Sequence, residues 1–165
     1  MIAPTTKPDP QPLAVVTLDP GERMTARIFA ALRTGINRSL GVLDRKKSPR
    51  SGLSVELDGI GGEIAFAKHR NVYLNLSVAP RSGGRDCLIH GLTVDVKTTP
   101  KEDGDLLVHA GKARNPCDVY VLMTGTFPTY TYRGFALKGG IFVDSNLNDL
   151  GHGPTYLVPQ ANLRK

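Results

Sequence analysis

Only two cysteines, Cys87 and Cys117, occur in 165 residues, and they lack CxxC spacing. A disulfide framework is therefore not expected, and free thiols in a reducing cytoplasm are. Long apolar runs are also missing. None approaches the ~20 residues that span a bilayer, and the start of the chain has no signal-peptide core. The expectation is a soluble, cytoplasmic protein with no membrane association. The histidines His69, His90, His109 and His152 fall at no ligand spacing, so a zinc site is not expected. No GxxxxGK and no GxSxG occurs, which removes P-loop NTPases and serine hydrolases. Gly59, Gly61 and Gly62 begin like a dinucleotide fingerprint, but Ile64 stands where its third glycine belongs and no clear strand leads in.

What is present is an ordinary globular composition, 40% hydrophobic and 22% charged, with eighteen glycines and twelve prolines. That mixture favours strands and turns in one domain large enough for a single core. The net charge is +6, which suits a polyanionic partner. Residues 1–50 carry nine Lys/Arg against four Asp/Glu, a net of +5, so most of the excess sits in the first third. Self-association is left open.

Residues 1–12, with four prolines among polar neighbours, are expected to be a mobile tail, and residues 13–18 a short strand. Asp19-Pro20-Gly21-Glu22 predicts a capped helix start, with the helix running to about Leu40. Met24, Ile28, Leu32 and Ile36 recur every four residues and are expected to be its buried stripe. Arg23, Arg27 and Arg38 share the opposite side, with Arg33 at its margin, and form either a solvated face or one that meets phosphates. The basic loop at 44–52 holds Lys46 and Lys47, and a later loop ending at Pro116 holds Lys112 and Arg114. These basic residues are candidates for following a nucleic-acid backbone.

Asp58 is expected to cap a second helix to about Arg70. On it Ile60, Glu63, Ile64 and Ala67 share one face, which turns Glu63 towards the core. A carboxylate there needs a partner: either a core arginine or an acidic site. Strands are expected at 71–78, 106–110, 118–125 and 129–138, the third being the most apolar and central. Tyr130 and Tyr132 are expected to pack across strands. Residues 79–84 read as a turn, 143–150 as a polar loop and 156–158 as an edge strand.

The chain is organised around residues 85–99, RDCLIHGLTVDVKTT. Two alternating runs meet at Gly91, which predicts a hairpin. On the second run Val94 and Val96 share one face, Asp95 and Lys97 the other, and Asp86 opens the preceding strand opposite them. Neighbouring carboxylates repel unless a cation sits between them, and oxygen ligands of this kind suit Mg²⁺.

This order of a Gly-Glu helix (GGEIAFAK), an acid, a hairpin, Asp-x-Lys and an apolar strand resembles the PD-(D/E)xK nuclease superfamily over residues 58–137. The resemblance implies an α/β fold of restriction-endonuclease type, with a mixed central β-sheet flanked by helices. It implies a Mg²⁺- or Mn²⁺-dependent hydrolase acting on DNA. Asp86 and Asp95 would be ligands with the carbonyl of Val96, Lys97 would act on the water or phosphate, and Glu63 would complete the acidic cluster. The alternatives are a nucleic-acid-binding module that lacks catalysis and a basic subunit that docks an acidic protein.

Overall fold

A computed structural model describes residues 13–41, 51–78, 84–151 and 153–165. The expected tail at 1–12, Lys46 and Lys47 in the basic loop, most of the turn at 79–84, and His152 lie outside the described residues.

The chain is an α/β protein. Strand β1 (Val15–Thr17) leads into α1 (Pro20–Ser39) and α2 (Gly52–Arg70). Then come β2 (Cys87–Ile89), β3 (Leu92–Thr99), β4 (Leu106–His109), β5 (Val119–Thr126) and β6 (Thr129–Leu137). A single-turn helix α3 (Lys138–Ile141) precedes β7 (Leu147–Asp149) and β8 (Pro154–Val158). Five strands form a mixed sheet in the order β1-β6-β5-β3-β2, in which only β3 and β5 run parallel. A second, three-stranded antiparallel sheet has the order β4-β8-β7.

Strand β5 is central, as its apolar sequence predicts, and both of its faces are covered. Val121 and Met123 join a core with Ile60, Ile64 and Phe66 of α2. Tyr120 and Leu122 join another core with Leu106, Val108 and Val158 of the smaller sheet. Helix α2 lies on the main sheet at close range: a Cβ at Gly62 would collide with the Thr98 hydroxyl, and one at Gly61 with the Tyr130 ring. Tyr130 and Tyr132 are both buried, and Tyr132 stacks on Phe66.

The start of α1 follows the local code. Asp19 accepts from the Glu22 amide at 2.9 Å, and Glu22 accepts from the Asp19 amide at 2.7 Å, a reciprocal capping box. Its buried side is not the expected one. Met24, Ile28 and Leu32 are 57%, 49% and 47% exposed, Ile36 is half-buried, and the fully buried residues are Ala26 and Ala30. The helix packs through its small side chains, which allow a close approach to α2, so the larger apolar stripe is turned outward.

Other expectations are corrected. Helix α2 begins at Gly52 under a Ser51 cap, and Asp58 is buried inside it, accepting the Phe127 amide at 2.9 Å. Residues 71–78 form no strand; Leu74 makes one isolated bridge to Cys87. Lys112 and Arg114 belong to a 3-10 helix, Ala110–Arg114. The polar stretch at 143–150 contains a 3-10 turn and β7, and β8 is the middle strand of the smaller sheet, not an edge.

Candidate functional site

The site forms where strand β2 begins. The β2–β3 hairpin turns at His90 and Gly91, whose φ angles are 49° and 81°. Positive values at both central residues give the primed turn that suits two-residue hairpins. This fixes the register, with Cys87 opposite Val94. One residue before β2, the Asp86 amide donates to the Val94 carbonyl at 2.7 Å. The Asp86 carboxylate then turns across the strand end and accepts the Val96 amide at 2.6 Å. Val96 thus meets the acid through its N–H. From this point to Thr99, β3 pairs only with β5.

Alternation along β3 is as predicted. Val94 and Val96 pack in the core shared with α2, and Asp95 lies on the other face with Lys97. Asp95 is only 2% exposed. Buried carboxylates need compensating charge, and here two ammonium groups supply it. Lys97 donates to Oδ1, and Lys112 stands 2.9 Å from Oδ2. Lys112 arrives from the 3-10 helix that follows β4, on the side of the smaller sheet.

Glu63 approaches from α2. Both of its oxygens are held by Arg33 of α1, at 3.1 and 3.2 Å. Of the two partners expected for Glu63, the structure shows the core arginine; its link to Asp86 is electrostatic alone. Burial pushes Glu63 up to about 8, helped by the charge of Asp86 and opposed by Arg33. Asp86 is pushed up to about 6, first by burial and then by the charge of Asp95, against the pull of the Val96 amide and Lys97. The titrations of Glu63 and Asp86 are therefore linked, and Asp86 in turn feels the charge of Asp95.

Among the described residues, no group of three His, Cys, Asp or Glu side chains stands close enough to hold a metal ion. The donor chemistry of Asp86 and Asp95 nevertheless fits Mg²⁺ or Mn²⁺, which prefer carboxylate oxygens. Asp86, raised first by burial and then by the charge of Asp95, carries a repulsion that a cation would relieve.

The basic residues divide. Arg23 donates to the Leu18 carbonyl at 2.7 Å, and the Arg27 guanidinium lies 5.1 Å from the Phe127 ring centre. These two serve the fold, whereas Arg38 and Arg114 are exposed. Arg33 and Lys112 belong to the acidic cluster. Sequence reasoning placed Arg33 at the margin of a basic face and Lys112 on a nucleic-acid backbone; the demand of Glu63 for a cation was the one signal for the first.

The model of DUF5843, a family of unknown function, matches residues 15–126, which include Glu63, Asp86, Asp95, Lys97 and Lys112. No curated protein and no solved structure matches the chain.

Proposed function

We propose that this chain, which belongs to the DUF5843 family, is a metal-dependent nuclease that hydrolyses phosphodiester bonds in DNA. The observation that carries the reading is the convergence of Asp86, Asp95 and Lys97 beside the start of β2, with Glu63 linked electrostatically to Asp86. The likeness to PD-(D/E)xK enzymes supports the same assignment. Asp86 and Asp95 would hold Mg²⁺ or Mn²⁺, which when bound polarises a phosphate and lowers the pKa of water. The Val96 amide fixes the Asp86 carboxylate. Lys97 keeps an ammonium beside Asp95, where it can orient water or offset charge growing on the phosphate. Arg33 holds Glu63 in place behind them.

A second reading is a DNA-binding module without catalysis. It is favoured by the state of Asp95, whose Oδ1 accepts from Lys97 and whose Oδ2 lies at ion-pair distance from Lys112. Incubation with linear, circular and single-stranded DNA, with and without Mg²⁺, separates the two. Mg²⁺-dependent cleavage supports the nuclease, and salt-sensitive binding without cleavage supports the module. Failure to bind DNA at low salt would leave a basic subunit that docks an acidic protein.

A further inference from the structure

Lys97 and Lys112 neutralise the same carboxylate from different places in the fold. Lys97 is on the same strand as Asp95 and moves only with it. Lys112 comes from a separate 3-10 helix, and its contact with Asp95 is a tertiary one. Its ammonium is also closely seated against the loop that leads to Asp86: a Cβ at Gly84 would stand 2.8 Å from Nζ. The same loop is tied back by the Cys117 thiol, which donates to the Gly84 carbonyl at 3.1 Å. Lys112 is thus a cation lodged between the approaches to the two aspartates.

A divalent cation on Asp95 needs one of its oxygens, and two cations on one oxygen repel strongly in a site this buried. We propose that Lys112 is a resident counter-ion which a divalent cation displaces from Asp95, and that the displaced ammonium then holds a phosphate of the nucleic acid. The inference rests on the nuclease reading and adds a regulatory consequence to it. Metal binding alone leaves Lys112 without an anion. Metal and nucleic acid together give both cations a partner, so each strengthens the binding of the other. Lys112 is here a substrate-binding residue, and the site holds metal more tightly when substrate is present.

The test is calorimetric titration of Mn²⁺ into the whole protein, without DNA and with a saturating single-stranded oligonucleotide too short to be cut. Lys112→Met keeps the aliphatic stem, and Lys112→Gln gives a second, polar replacement; thermal melting checks the fold of each. The inference expects both variants to bind Mn²⁺ about tenfold more tightly than wild type without DNA. It expects the oligonucleotide to tighten Mn²⁺ binding in wild type but not in the variants. Wild type and folded variants that bind Mn²⁺ equally, with the same oligonucleotide effect, would overturn the role of Lys112 and leave the nuclease reading standing. If neither wild type nor variants bind Mn²⁺ in either condition, both fall together.

Discussion

Arg33 holds Glu63 with both terminal nitrogens of its guanidinium, at 3.1 and 3.2 Å, across the interface between α1 and α2. The paired fork joins the outer helix to the acidic cluster and compensates a carboxylate that the core would otherwise reject. Removing one partner strands the other. Above pH about 8, where Glu63 is ionised, Arg33→Met should lower unfolding free energy by about 3 kcal/mol, and Arg33→Met with Glu63→Gln should recover much of that loss. Urea unfolding of the four proteins in the cycle measures it; equal losses in the single and double variants would show the pair to be uncoupled.

The raised carboxylates predict a pH dependence. Asp86 moves from 3.8 to about 6 and Glu63 from 4.5 to about 8, so the folded state holds each proton more tightly than the unfolded chain. Stability from this source is complete below the ordinary carboxylate values. It falls as pH rises through about 6 for Asp86 and about 8 for Glu63. Urea midpoints in metal-free buffer should decline across that window, and Glu63→Gln should flatten its upper part. A rise in stability with pH through the window would contradict the assignment.

Close packing of α2 on the sheet gives a paired test. Gly62→Ala should destabilise by about 1–3 kcal/mol, because its Cβ collides with Thr98. Gly59 sits on the same helix with nothing within 4 Å of an added Cβ. Gly59→Ala should therefore stabilise, by up to about 1 kcal/mol, through helix propensity alone. Thermal melts that rank the two the other way would mean the helix sits differently on the sheet.

The arginines of α1 should no longer behave as a set. Arg38→Gln should leave stability unchanged, and if Arg38 meets a phosphate it should reduce the log–log salt slope of DNA binding by about 0.9. Arg27→Gln removes a cation from the Phe127 ring and should cost about 0.5–1 kcal/mol of stability. Salt titrations and urea unfolding together separate the two roles.

How much of this was legible depended on how local the signal is. The capping box, the hairpin at Gly91 and the alternation of Val94, Asp95, Val96 and Lys97 are set by near neighbours, and the structure has them where the sequence predicts. The apolar stripe of α1 was misread because periodicity identifies a face without saying which face meets the core. Ala26 and Ala30 pack closely where Met24 and Ile28 would not. The start of α2 was missed because Gly52 and Ser54 are weak helix formers, and buried Asp58 resembles a cap in sequence. Lys112 could not be linked to Asp95 at all, since their meeting depends on where the smaller sheet docks. For Arg33, separated from Glu63 by 30 positions, sequence showed only that Glu63 needed a cation.

The most direct test of the central claim is the initial rate of cleavage of linear DNA in Mg²⁺, compared between wild type, Asp95→Asn and Lys97→Met. The account predicts Mg²⁺-dependent cleavage by wild type and none above background by Asp95→Asn. It predicts a rate lowered about 10²-fold in Lys97→Met, with melting temperatures showing both variants folded. Cleavage by folded Asp95→Asn at the wild-type rate, or no cleavage by wild type in Mg²⁺ or Mn²⁺, would contradict it.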